Sequence, residues 1–474
     1  MPELGEWLPD LPAKDNPGVI VAENLLPFAN SYLPVNSPVA DTNALKARCR
    51  GGAAIKAIDG VEYNYAGDET DLYYRSDNDY LSVNTGYTLA ETNNWEFIRF
   101  NDKVIAANGV DPLQVSDITD PPLFADIAGS PQARHIATVG NFVVTGNLPT
   151  NPRLLKWSGI GDETIWTPGD QQSDEQVLQR GGEITRILGG EYGVVFCEHS
   201  IYRLQYASYP IIFEIDEVIP GSGTRAPGSV SQYGNIIYYL DTDGFYVFNG
   251  STINPIGANK INRTFFADYD DAYPHRVTSA IDLANTMYWC AYPGTGHVDG
   301  LPNRVVVFNW STNRWSGPIK IEVEQLLYSS LQEVVTDSLL GLTDDYNQMT
   351  DSIGFAGTPA SLSLFNSAHE HAIFTGPRLE GWIESGEFTL DDWSYVLGLE
   401  PRADGDDVRL AVSLGTRNPP YGIVEWTPLQ SPHPRTGIAR FHKRAKYIRF
   451  RIRVQRDFTH LYGAVPHIVP AGKQ

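Results

Sequence analysis

At 474 residues the chain is long enough for two or three domains, or for one large repeat array with a smaller domain. Its 42% hydrophobic content supports a large core, and 43 Gly, 32 Pro, 25 Tyr and 10 Trp suit short strands joined by tight turns; no stretch carries the apolar period of a helix bundle. The net charge of −22 argues against a binder of free nucleic acid, because such a surface repels phosphates at long range.

Residues 1–45 read as an extended Pro-rich arm, with Trp7-Leu8-Pro9-Asp10-Leu11-Pro12, Asn16-Pro17-Gly18 and Leu33-Pro34-Val35-Asn36. Prolines this frequent remove backbone donors and disfavour a helix. Trp7, Leu11, Leu25, Leu26, Phe28 and Tyr32 are too apolar for a free tail, so the arm is expected to lie against the body or a neighbouring copy. Met1 to Gly18 lacks the basic flank and apolar core of a signal peptide, and no apolar run is long enough to cross a bilayer. Cys49, Cys197 and Cys290 are odd in number and far apart, which reads as core thiols in a chain folded in a cytosol.

Residues 46–376 repeat one pattern: an apolar strand, a short polar or Gly-containing turn, and a more hydrophobic strand. Its turns fall at 59, 101, 140, 190, 234 and 284, spaced by 42, 39, 50, 44 and 50 residues. A second hairpin often follows, as at Ser76-Asp77-Asn78-Asp79, Asn249-Gly250 and Trp310-Ser311-Thr312-Asn313. Two hairpins per period of roughly 40–50 residues make one four-stranded propeller blade. Six blades are clear and a weaker seventh falls in 326–375. The fold class is therefore all-β, a β-propeller of six to seven four-stranded blades; stacked sandwiches or a jelly roll are the alternative.

Residues 377–474 change texture. The alternating segments 386–390, 408–414 and 447–454 read as a C-terminal β-sandwich-like docking domain. It holds 14 Lys+Arg against 11 Asp+Glu, a net of +3, and the rest of the chain holds 21 against 46, a net of −25. Arg440, Lys443, Arg444, Lys446, Arg449, Arg451 and Arg453 form the strongest charged feature. In 447–454, Arg449, Arg451 and Arg453 share one strand face and Ile448, Phe450, Ile452 and Val454 the other. Three readings stand: a docking row for an acidic protein, which could be another copy of this chain; contact with phosphate; or an exposed face paired with acidic neighbours.

Motifs for phosphate-loop, serine-hydrolase, zinc-protease or redox chemistry are absent. His369-Glu370-His371 would put two rings on one strand face, half of a metal site or a solvated loop. The acidic groups Asp68-Glu69-Thr70-Asp71, Asp241-Thr242-Asp243-Gly244, Asp270-Asp271 and Asp404-Gly405-Asp406-Asp407 lack calcium-loop spacing and read as turns, although carboxylates converging on a propeller axis could serve a glycosidase. No catalytic, cofactor-binding or metal-binding residue is assigned, and the chain is expected not to be an enzyme.

Several segments together resemble the tail-nozzle or tail-hub proteins of short-tailed bacteriophages, the packaged-DNA stabilisation family. They are the opening Trp7-Leu8-Pro9-Asp10-Leu11-Pro12 with Asn16-Pro17-Gly18, the Asn24…Pro27…Tyr32-Leu33-Pro34 arm, Gly182-Glu183-Ile184 leading into Gly193-Val194-Val195-Phe196, Gly223-Thr224-Arg225-Ala226-Pro227-Gly228, and the ending Arg444-Ala445-Lys446-Tyr447-Ile448-Arg449-Phe450-Arg451. The resemblance implies a structural virion protein, assembled in the host bacterial cytoplasm into a ring, typically a hexamer, below the portal–adaptor complex. Its partners would be itself, a head-to-tail adaptor and fibre, tailspike or needle proteins. Double-stranded DNA would be retained and then pass through the channel without specific binding, past an acidic wall. Trp7, Leu11 and the basic residues from Arg440 to Arg453 would supply ring and adaptor contacts. The alternative is a propeller that binds a receptor or glycan through its loops, with Trp157, Trp166 and Trp310 near turns; no cofactor is expected in either case.

Overall fold

The computed structural model describes residues 4–58, 60–76, 78–118, 122–329 and 361–471. The turn residues Asp59 and Asp77, and 330–360 within the weak seventh repeat, lie outside them.

The repeat folds as a β-propeller with an additional curled β-sheet. The first blade is Gly52–Lys56, Glu62–Gly67, Asp71–Ser76 and Asp79–Thr85. Inner strands Glu96–Phe100, His135–Val139, Ile184–Leu188 and Ser231–Tyr233 open the second to fifth blades in chain order. Gln325–Ser329, Ser361–Phe365 and Glu370–Ile373 form a further sheet, whose outer strand is Val39–Ala44 from the N-terminal segment. Among the described residues these six four-stranded sheets are self-contained. One more antiparallel unit, Thr278–Asp282, Met287–Tyr292, Arg304–Asn309 and Arg314–Ile319, continues into an eleven-stranded sheet with the C-terminal strands.

Local chemistry sets the hairpins. The turns after Phe100, Val139 and Tyr233 have two residues, and Asn101, Gly140 and Gly234 take φ of 54°, 55° and 58°. That left-handed geometry matches the twist of the flanking strands, and Asn and Gly reach it most easily. Second strands are buried on both faces, as in Phe142–Leu148, Gly193–Cys197 and Met287–Tyr292. They read as continuous apolar runs because each blade is covered by a neighbour on either side. Among the described residues, apolar clusters fill the spaces between successive blades. One joins Tyr65, Leu72 and Tyr74 to Trp95 and Val104, and another joins Leu327 and Phe365 back to Ala66 and Tyr73. Cys49, Cys197 and Cys290 are buried and unpaired in these cores.

The N-terminal segment is the seam. Val19–Glu23 pairs with Arg314–Ile319 on one side and Gly381–Ser385 on the other, welding the propeller to the C-terminal sheet. There Phe388–Arg417 and Ala439–Pro470 run past each other so far that Ser394 is paired with both Ala445 and Pro470. The sandwich-like domain thus takes the form of a single curled sheet, a half-barrel. Left-handed residues at Gly405, His442 and Arg456 fall within its two long strands, where the pairing register shifts. Among the described residues no helix is long and apolar enough to cross a membrane.

Candidate binding surfaces

Ile448, Phe450, Ile452 and Val454 enter the core, as alternation predicts, and Arg449, Arg451 and Arg453 are half-buried on the other face. Two of these arginines are engaged within the chain. Arg451 Nε lies 2.7 Å from Glu384, and its guanidinium stacks 3.7 Å from the Trp426 ring. Arg449 lies between Glu384 and Glu387, at 3.6 and 3.4 Å, and Arg417 also pairs with Glu387. Arg453 has no ion pair among the described residues.

Arg440, Lys443 and Arg444 are exposed and Lys446 is half-buried. None of the four has a carboxylate partner among the described residues. Tyr395 lies across from Arg444 on one side and Val469 on the other, and Arg444 sits 5.0 Å over the Trp393 ring. Trp393, Tyr395 and Val469 are each about two-fifths exposed (38, 41 and 40%). Aromatic, aliphatic and guanidinium groups therefore share one outer face, the composition typical of interface centres.

Trp7 is buried in the chain's own core and donates its indole N–H to the Ile20 carbonyl at 3.0 Å; Leu11 is half-buried. Asp10 accepts from Arg263 N at 2.8 Å and from Thr264 N and Oγ1 at 2.9 and 2.7 Å. It thereby caps the helix Asn262–Asp268, which has no side-chain cap from its own N-cap residue Ile261.

The inner strands surround a cavity of about 710 Å³ on the propeller axis, lined by five arginines against two glutamates. One end of it, the mouth, lies where the chain enters these strands, at Arg48, Arg134, His275 and Arg276. Two contacts bridge it: Asn94 donates to the His275 carbonyl at 3.1 Å, and Arg276 pairs with Glu91 at 2.6 Å. Deeper in, Glu96 accepts from His135 Nδ1 at 2.9 Å and Ile136 N at 3.1 Å and pairs with Arg186. Burial would raise the Glu96 pKa, but the charges of Arg186 and His135 outweigh it and hold the group at about 2. Sequence reasoning missed this cluster because its members are scattered singly. The available signal was a basic residue just before three inner strands, at Arg48, Arg134 and Arg276.

The remaining candidates make contacts within the chain. His369 sits in a turn with φ of 66° and pairs with Glu324, whereas His371 is fully buried against Asp41 and Arg75, so the two rings do not converge. Among the described residues no three His, Cys, Asp or Glu side chains gather as metal ligands do. Asp68 accepts from the backbone of Thr70 and Asp71, Asp241 from Ser222 and Gly223, and Asp270 lies 2.9 Å from His297. Trp157 and Trp166 are buried, and Trp310 stacks on Tyr233 and Tyr238.

No family model and no curated protein matches the chain. Among solved structures it is similar to an extracellular domain assigned to a hybrid two-component system of B. thetaiotaomicron (10% identity, TM-score 0.43, 76% of this chain and 41% of that one). It is also similar to the Neurospora crassa Pan2 WD40 domain (8% identity, TM-score 0.38, 72% and 88%). A third likeness is to the dihydro-heme d1 dehydrogenase NirN in complex with DHE (11% identity, TM-score 0.34, 74% and 74%). The chain thus spans less than half of the two-component domain. These scores carry no inference about activity, and the fold assignment rests on the strand pairing itself.

Proposed function

We propose that the chain is a non-catalytic docking protein whose propeller is a rigid body and whose half-barrel grips the acidic body of a second copy. The exposed segment of Arg440, Lys443 and Arg444, with Arg444 stacked on Trp393 and paired across from Tyr395, carries this reading. Three cations without carboxylate partners among the described residues stand on a +3 domain attached to a −25 body, so copies are complementary head to flank. The tail-nozzle resemblance supplies a setting, a ring under a portal–adaptor complex in a virion tail. A DNA conduit would then belong between copies, because the axis of one propeller is cationic and bridged at its mouth. Sedimentation of the triple variant Arg440→Glu, Lys443→Glu, Arg444→Glu tests the reading: wild type assembles and the folded variant stays monomeric. A monomeric wild type, or unchanged assembly of the variant, would refute it.

A second reading, ligand recognition by the propeller, is favoured by one observation, the arginine-lined cavity on its axis. The two readings use separate surfaces.

A further inference from the structure

Three guanidinium groups meet at the mouth of the axial cavity around one carboxylate. Glu91 receives Arg276 at 2.6 Å, Arg50 at 2.9 Å and Arg48 at 3.7 Å. The last distance is too long for a hydrogen bond. Arg48 Nη2, Arg276 Nε and His275 Nε2 are buried atoms with no hydrogen-bond partner among the described residues. The other nearby acids are engaged elsewhere: Glu324 accepts from Cys49 N and pairs with His369, and Glu69 lies 3.7 Å from Arg50.

This arrangement is costly as it stands. Like charges at short range repel strongly where water is scarce, and a buried donor without a partner loses its hydration with no return. Burial and the neighbouring cations both disfavour the protonated forms of Arg48 and His275. Burial, with Arg276 and Arg50 alongside, pulls Arg48 down to about 10. Burial, with Arg276 and Arg48 alongside, pulls His275 down to about 4. Arg48 from one loop and His275 and Arg276 from another line a cavity far larger than one water, in a protein whose overall charge is −22.

We infer that the mouth of the axial cavity is a binding site for a small oxyanion, with Arg48 and Arg276 as its principal donors and His275 beside them. Guanidinium groups suit this role because each presents two parallel N–H donors to a pair of oxygens. The cavity leaves room for a body of sugar size behind the anionic group. The oxygens could be those of a phosphate or of a carboxylate, and both are tested. The site is independent of the docking patch on the half-barrel.

Calorimetric titration of the full chain at fixed ionic strength tests the inference, with inorganic phosphate in one arm, glucuronate in a second and sodium chloride as control. At least one oxyanion is expected to bind one-to-one above the chloride control. The single variants Arg48→Gln and Arg276→Gln should each weaken it by about tenfold or more, and Arg435→Gln, at an exposed position outside both surfaces, should leave it unchanged. Removing one of several mutually repelling cations should preserve the fold, which the thermal melt of each variant verifies. Preference for phosphate identifies a phosphorylated ligand and preference for glucuronate an acidic sugar. Binding no better than chloride in both arms, or binding by folded variants equal to wild type, would overturn the site.

Discussion

Tyr395 stands directly across the sheet from Arg444, and the pair forms the centre of the exposed row that runs on to Val469. The row is outside the core, so its members can be changed without opening a cavity. Tyr395→Ala is expected to alter stability by less than about 0.5 kcal/mol while weakening self-association measurably. Urea denaturation and sedimentation of the same variant check the two halves. A large loss of stability would place the ring in the fold and not in a contact.

The arginines of 447–454 should behave in the opposite way. Glu387 is almost fully buried and is held by Arg449 and Arg417. Arg449→Met removes one of its two cations and should cost about 3 kcal/mol, because a buried carboxylate is left under-compensated. Lys443→Glu, made on an exposed position, should cost less than about 0.5 kcal/mol. Chemical denaturation of the two variants side by side measures the contrast, and equal effects would contradict this division of the basic segment.

The cap supplied by Asp10 can be tested alone. Asp10→Ala should destabilise the chain by about 1–2 kcal/mol, with Asp10→Asn retaining part of the effect. Hydrogen exchange at Arg263 and Thr264 should accelerate in the alanine variant. Unchanged exchange would mean that the helix Asn262–Asp268 holds its first turn without the arm.

Glu96 makes stability depend on acid. Its folded carboxyl sits at about 2 against an ordinary value of 4.5, so between those values protons bind the unfolded chain preferentially. The stabilisation is complete above pH 4.5 and disappears as pH falls toward 2. It amounts to at most about 3 kcal/mol. Urea titrations from neutral pH down to about pH 3 should show this loss in wild type and a flatter profile in Glu96→Gln. Identical profiles would remove Glu96 from the account.

What could be read from the sequence was local. The turns at Asn101, Gly140 and Gly234 announce themselves by residue type, and the alternation of Ile448, Phe450, Ile452 and Val454 identifies a buried strand face. Pairings between distant segments were not legible. Val39–Ala44 completes a blade with Glu370–Ile373, more than three hundred residues away, and nothing in its own composition names that partner. Glu384 meets Arg451 because Gly381–Ser385 pairs directly with Ala439–Pro470, a partnership that the alternation within 447–454 does not name. The axial arginines were invisible for a related reason: each is an isolated residue at a strand entry, and only closure of the ring gathers them.

Zero-length carbodiimide cross-linking of a mixture of light- and heavy-isotope chains tests the central claim most directly. Docking of the half-barrel on the body of another copy predicts mixed-isotope peptides joining Lys443 to carboxylates within 46–376. Cross-links from Lys443 that are solely within one chain, in a sample that sediments as an assembly, would contradict it.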